Sequence, residues 1–160
     1  MARKRDTGKQ RHRRREGPAD LEPYLGCPAD AALGLDPLGV GWLQRNQPYP
    51  TGPVSEPFLA ALLPFTFDEN VVCAVRVARR CQLCNEAVPP VEREGQSAHP
   101  GTGEIRVLGE TDIYAAPDLI VHYITAHNYQ PPQAFIQAVL LGPPAGAQEH
   151  RALVRTLNAS

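Results

Sequence analysis

Two stretches decide the fold of this 160-residue chain: Cys81-Gln82-Leu83-Cys84 and His122-Tyr123-Ile124-Thr125-Ala126-His127. The first places two cysteines two residues apart, and the second places two histidines four residues apart. Two thiolates and two imidazoles form the ligand set of a closed tetrahedral Zn²⁺ site. The sequence therefore predicts Zn²⁺ as the cofactor, held by Cys81, Cys84, His122 and His127.

Regular elements are predicted on both sides of these stretches. Residues 71–78 alternate apolar and polar side chains as a strand does, and they lead directly into the cysteines. Residues 104–108 and 113–115 predict a β-hairpin, and Ala116-Pro117-Asp118 is expected to open a helix that ends at Asn128. The predicted fold class is α+β, with a zinc-centred ββα unit (finger-like or treble-clef-like) flanked by short helices and irregular loops.

The spacing of the ligands limits what this unit can be. The gap between the cysteines and the histidines is far longer than in a finger that reads DNA, so that class is excluded by pattern. On an ideal helix, His122 and His127 point roughly 140° apart. Both reach one ion only if the last helical turn loosens near Asn128. The alternative interpretation is that His127 is a core histidine and His122 a flanking residue.

A redox dithiol is a second interpretation of Cys81 and Cys84. The neighbouring Arg79 and Arg80 would lower the pKa of a thiol. Redox pairs of this spacing open a helix, however, and Pro89-Pro90 leaves no room for one. The sequence therefore favours metal binding over redox exchange.

A catalytic zinc is a third interpretation. It needs an open coordination position for water and a general base nearby. Glu104 or Asp118 could serve as that base if only three protein ligands bound the metal. Four protein ligands would leave no open position, which favours a structural metal.

The remaining cysteines and His99 are expected to stay outside the site. Cys27 has no partner at a metal-binding spacing and is expected to be a free thiol. Cys73 falls on the apolar side of the predicted strand, which indicates a buried structural cysteine. His99 lies in the polar loop 85–103 and is expected to be solvated, with a role as a substitute ligand left open for His99 and for Cys73.

Composition predicts short helices and strands joined by long loops, and the chain is expected to divide into three regions. Seventeen prolines and thirteen glycines imply long loops. The regions are a disordered basic tail (residues 1–20), a zinc-stapled α+β domain (residues 21–142) and a flexible C-terminal tail (residues 143–160) with one short helical turn. Residues 33–43, here called the strap, are expected to pack over the domain with Trp42 as the anchor or, alternatively, to expose Trp42 to a partner.

The basic side chains are concentrated at the N-terminus. Residues 1–15 carry +7 and the rest of the chain −8. This charge predicts contact with nucleic acid or another polyanion. The eight basic residues expected to make it are Arg3, Lys4, Arg5, Lys9, Arg11, Arg13, Arg14 and Arg15. The sequence has no apolar stretch of eighteen residues and no apolar segment after the basic one, so we expect a soluble cytoplasmic protein with no membrane contact.

One part of the chain resembles a known family. The residues are Gly103-Glu104-Ile105-Arg106-Val107 and the run from Tyr114-Ala115-Ala116-Pro117 through His122 and His127 to Pro131-Pro132. They are similar to a family of small uncharacterised bacterial proteins that pair a Cys-x-x-Cys with this helical motif. The resemblance covers residues 71–141. It implies a metal site at the same two cysteines and two histidines, and it implies no activity.

The expected function follows from the site. The leading hypothesis is a non-catalytic binding or adaptor module, stapled by zinc, that acts on an unknown protein partner. The second is a protein associated with nucleic acid or the ribosome through residues 1–15. The third is a metal-dependent enzyme.

Overall fold

A computed structural model describes residues 17–159, and over that range the protein has the predicted mixed α+β fold. The helices are α1 (Pro28–Ala32), α2 (Glu56–Leu62), α3 (Ile120–His127), α4 (Gln133–Leu141) and α5 (Gln148–Asn158). The strands are β1 (Leu38–Gly39), β2 (Val91–Arg93), β3 (Gln96–Ala98), β4 (Glu104–Leu108) and β5 (Ile113–Pro117). Short 3₁₀ helices cover Leu63–Thr66 and Asp68–Asn70. None of these helices is long and apolar enough to cross a membrane.

The main sheet has the order β1-β5-β4. The hairpin of β4 and β5 is the predicted one, and its antiparallel register places Arg106 opposite Ala115. β1 runs parallel to β5, with Leu38 opposite Tyr114. The strap therefore becomes part of the sheet rather than only a cover over it.

The core lies between this sheet and the helices α2, α3 and α4. Fully buried apolar members come from all three helices, from the 3₁₀ helix Leu63–Thr66 and from β4: Phe58, Leu62, Phe65, Ile105, Ile120, Tyr123 and Phe135. Burying one such side chain contributes about 1.5–3 kcal/mol. α2 begins as its sequence predicts, because the Ser55 hydroxyl accepts the N–H of Phe58 and Pro57 lies in the first turn.

Trp42 anchors the strap as predicted. Its indole Nε1–H donates to the carbonyl of Ala115 at 3.0 Å, and its ring stacks on Tyr24 with centroids 4.6 Å apart. Val40, two residues earlier, is fully buried. Trp42 itself is half-buried.

The predicted strand at 71–78 does not form. Val72 pairs with Glu104 as an isolated bridge. Cys73 then has a φ of 51°, a left-handed conformation that breaks the extended backbone. The same residue forms a disulfide with Cys27. The prediction of a free Cys27 thiol is therefore wrong.

The start of α3 also differs from the prediction. Pro117 is the last residue of β5 rather than the first of a helix. Asp118 is 98 % buried and precedes the helix. Its carboxylate accepts the N–H groups of Gly101, Thr102 and Gly103, at 2.8–3.1 Å, and so orders the loop that enters β4.

Three loops or tails are more regular than predicted. The 85–103 loop contains the β2–β3 hairpin, whose turn residues Glu94 and Gly95 have φ of 51° and 79°. The C-terminal region contains the eleven-residue helix α5, so a single short turn was an underestimate. Asp20, assigned to the N-terminal tail, accepts hydrogen bonds from the Gly41 N–H and the Tyr129 hydroxyl. Residues 1–16 of that tail, with its eight basic residues, lie outside the described range.

Candidate metal centre

The first half of the site is a tight turn that holds two thiols. The Cys81 sulfur accepts the backbone N–H groups of Leu83 and Cys84 at 3.3 and 3.5 Å. The turn closes through Asn85, which has a φ of 57° and donates its N–H to the Cys81 carbonyl. Cys81 is buried and Cys84 is exposed. In this turn, residues 81–85, here called the knuckle, backbone N–H groups can support the negative charge of a thiolate.

The second half of the site is the C-terminal end of α3. His127 is the last helical residue, and Asn128 ends the helix in the left-handed conformation. The N–H groups of Asn128 and Tyr129 both bond to the Tyr123 carbonyl, five and six residues earlier in the chain. This terminal turn is wider than an α-helical one, in agreement with the predicted loosening. The rings of His122 and His127 come to 5.1 Å between centroids.

The two halves meet. The Cys81 sulfur lies 3.3 Å from Nε2 of His127, and the Cys84 sulfur lies 3.6 Å from Nε2 of His122. One ligand atom from each of the four residues lies within 4.8 Å of the others. This Cys₂His₂ cluster could hold a metal ion, and its sulfur and nitrogen donors are the kind that zinc takes. The interpretation of both histidines as residues without a shared site does not fit this geometry.

Burial sets the electrostatics of the cluster. It raises the pKa of the Cys81 thiol, and the N–H groups of Cys84 and Leu83 act in the opposite direction. It lowers the pKa of His122, and the neighbouring His127 adds to that effect while Glu86 opposes it. A neutral His122 is a competent ligand, because the imidazole must be unprotonated to bind a metal.

The candidate substitute ligands lie elsewhere. His99 is half exposed and bonds through Nδ1 to the Asp68 carboxylate at 2.7 Å. Cys73 belongs to a second group of closely spaced potential ligands, with Cys27 and Glu104. The Cys73 sulfur, however, is bonded to Cys27 in the disulfide. The structure therefore brings His99 and Cys73 into other contacts and leaves the four predicted residues together.

The candidate general bases are also engaged. Glu104 accepts hydrogen bonds from the Tyr24 hydroxyl at 2.6 Å and from Arg106 at 2.9 Å. Asp118 is held by the 101–103 loop, and the Thr102 hydroxyl adds a bond at 3.2 Å. Burial raises the pKa of both carboxyl groups, and these partners oppose the rise. These hydrogen bonds give the Glu104 and Asp118 side chains a structural role in the fold.

Sequence reasoning missed a buried charge cluster around Arg106. This fully buried side chain pairs with the carboxylates of Asp30 and Glu104, and its guanidinium lies 5.6 Å from the Tyr24 ring centroid. β4 alternates apolar and polar residues, which predicts that Arg106 faces solvent. The local sequence around a polar residue in an alternating strand does not show whether a distant element will pack over that residue and bury it.

The fold and the cluster define a small α+β protein with a Cys₂His₂ ligand set able to hold a metal ion. The chain belongs to the family described as domain of unknown function DUF7919, whose model matches residues 18–140. This agrees with the expectation of an uncharacterised family, and the match includes residues 21–70, which the resemblance left out. No curated protein and no solved structure matches the chain.

Proposed function

We propose that this protein is a non-catalytic binding or adaptor module built around one structural Zn²⁺ at Cys81, Cys84, His122 and His127. The observation that carries the proposal is the convergence of these four ligand atoms within 4.8 Å from two segments far apart in the chain. The partner in this role is a protein that the sequence does not identify.

The donor set supports zinc and a structural role. Thiolates and imidazoles together suit zinc better than magnesium, calcium or manganese, which prefer oxygen ligands. Four protein ligands fill a tetrahedral coordination sphere, so no position is left for an activated water. The engagement of Glu104 and Asp118 in the fold supports the same role, since neither carboxylate is left over as a general base.

The metal would join the knuckle to the end of α3. These segments are separated by 38 residues or more, and the regular elements between them are short. A cross-link here reduces the entropy of the unfolded chain, and the free energy of metal binding becomes part of the free energy of folding. A stabilised scaffold of this kind is what a binding module needs.

Elemental analysis of untagged protein, purified without chelator, tests the proposal. We expect about one Zn²⁺ per chain. His127→Gln should lose most of the metal, whereas the matched control His99→Gln should keep it, because His99 contacts Asp68 instead of the cluster. A folded parent with much less than half an equivalent of metal, or equal metal in both variants, would contradict the proposal.

A second candidate function rests on the N-terminal charge. Residues 1–15 carry +7 beside an otherwise acidic chain, and lysine and arginine clusters bind nucleic acid with a steep dependence on salt. Deleting residues 1–15 should abolish retention on RNA or heparin and leave the melting temperature unchanged. Equal, salt-sensitive retention of both proteins would exclude the tail as the contact.

A metal-dependent enzyme is the third candidate. It differs from the structural role in how the fold responds to a chelator. A structural metal makes the melting temperature fall when it is removed, whereas a catalytic metal can leave with loss of turnover and little unfolding.

A further inference from the structure

A cleft of about 420 Å³ opens between the strap and the Cys81–Cys84 turn. The residues that line it include Tyr24, Trp42, Leu119 and Tyr123, together with Arg79 and Gln82, which are close in sequence to the cysteines. Pockets for small molecules have volumes of roughly 300–1,000 Å³. The cleft is therefore large enough for a small organic ligand, and it is distinct from the four metal-binding side chains.

The lining combines polar and apolar groups, and its aromatic side chains are already held in place. Tyr24 and Trp42 stack with an angle of 9° between their rings, and the indole N–H is tied to Ala115. Tyr123, Leu119 and Tyr24 are only 2 %, 3 % and 6 % exposed, so the half-buried Trp42 presents most of the accessible aromatic surface. A rigidly held indole favours a flat ligand, because one face of the ligand can lie against it at little cost in side-chain entropy.

Arg79 supplies a positive charge at this cleft. Its backbone N–H donates to the Gly101 carbonyl at 2.8 Å, which fixes the start of the side chain. The side chain is exposed, and within residues 17–159 it forms no ion pair. Glu104, which accepts from the Tyr24 hydroxyl, is instead paired with Arg106. The Arg79 guanidinium, which is exposed and has no carboxylate partner within residues 17–159, has the geometry to bind both oxygens of a ligand carboxylate.

We propose that this cleft binds a small aromatic carboxylate, with its ring against the indole of Trp42 and its carboxylate on Arg79. The proposal rests on the cleft and on Arg79, and it is independent of which metal the cluster holds. The chain would then carry a ligand site in addition to its metal site.

Titration with 2-naphthoate, followed by NMR and calorimetry, tests this site. Trp42 is the single tryptophan, so the one indole N–H resonance of the protein reports on the cleft. We expect that resonance to shift saturably with 2-naphthoate. Arg79→Gln should weaken binding by about tenfold or more, since a hydrogen bond to a charged group contributes about 1.5–3 kcal/mol. The uncharged analogue 2-naphthylmethanol should bind the parent and Arg79→Gln equally.

Arg76→Gln is the matched control. It removes the same charge from an exposed arginine of the same segment that does not line the cleft, and it should bind 2-naphthoate as the parent does. Three results would overturn the proposal: no saturable shift up to about 5 mM ligand, equal weakening in both arginine variants, or equal affinity of the parent for the acid and the alcohol.

Discussion

Arg106 on β4 and Asp30 on α1, 76 positions apart in sequence, form a two-point ion pair in the interior of the protein. The Arg106 Nε and Nη2 atoms lie 3.3 and 2.6 Å from the two Asp30 carboxylate oxygens. The side chains are 0 % and 4 % exposed. The pair holds the short helix α1 against the sheet, and it is completed by Glu104 on the same strand.

Replacement of Arg106 by methionine should strongly destabilise the fold. The change leaves two buried carboxylates without their cation, and breaking a buried pair in this way costs about 3–5 kcal/mol. Urea denaturation measures the loss. The control Arg76→Met changes an exposed arginine and should stay within about 0.5 kcal/mol of the parent. An Arg106→Met protein as stable as this control would show that the cluster contributes nothing net.

Removal of the Cys27–Cys73 disulfide should also lower stability. The bond closes a loop with a sequence separation of 46, and a cross-link over such a loop contributes about 2–4 kcal/mol. The double variant Cys27→Ser/Cys73→Ser should therefore unfold at lower urea than the oxidised parent. A phosphine reductant should bring the parent to the stability of the variant.

Thiol counting gives an independent check of the same bond. The unfolded, metal-free parent should expose two reactive thiols, from Cys81 and Cys84, unless a reductant is added. Four thiols without reductant, together with a double variant as stable as the parent, would contradict the disulfide.

Asp118→Asn should cost more than a surface charge change. The buried carboxylate accepts hydrogen bonds from three backbone N–H groups and one hydroxyl. In asparagine an NH₂ group replaces one of the two carboxylate oxygens, and this group cannot accept the hydrogen bonds which that oxygen accepted. We expect a loss of about 2–4 kcal/mol in urea denaturation. Asp112→Asn, at an exposed turn position, should change little. Equal effects of the two substitutions would show that the 101–103 loop does not depend on Asp118.

His150 should make the protein less stable in acid. Its ring is fully buried, packs edge-on against Phe65 and accepts the Gly146 N–H at Nδ1. Nε2 makes no hydrogen bond of normal geometry within residues 17–159, although it faces the Arg106 carbonyl. Burial lowers the pKa of His150, so below about pH 6.5 the unfolded chain binds more protons than the folded one.

The sign of that effect defines the measurement. The neutral, buried His150 does not lower the free energy of unfolding above about pH 6.5. As the pH drops below this value, the free energy of unfolding falls by at most about 1.4 kcal/mol per pH unit for one group. His150→Phe should flatten this slope, while losing about 1 kcal/mol at neutral pH with the Gly146 bond. The metal cluster is common to both proteins, so the difference between their urea midpoints across pH isolates His150. Identical slopes would rule out His150 as the cause.

Local signals predicted the parts of the fold that depend on local rules. The β4–β5 hairpin and the Asn128 end of α3 follow from alternation and backbone preference. The four metal-ligand candidates were also found from the sequence, because sulfur and imidazole ligands at short spacings carry their own chemical signal.

Long-range pairing explains most of what the sequence did not predict. Cysteine spacing does not determine which cysteines pair, so Cys27–Cys73 was invisible, and with it the break in the predicted strand at 71–78. The burial of Arg106 depends on α1, which packs there through Asp30. α5 did leave a signal, since His150, Val154 and Leu157 recur at helical spacing, but its low overall hydrophobicity concealed it.

The two cross-links enclose consecutive lengths of chain that do not overlap. The disulfide spans 27–73, and a metal on the Cys₂His₂ cluster would span 81–127. When the two ends of the molecule are pulled apart, the intact disulfide keeps the segment 27–73, about 160 Å of contour length, from extending. The metal would keep about another 160 Å, between Cys81 and His127, out of the extended chain until a ligand bond breaks. Under tension the protein would therefore yield first outside both rings, and only then at the metal.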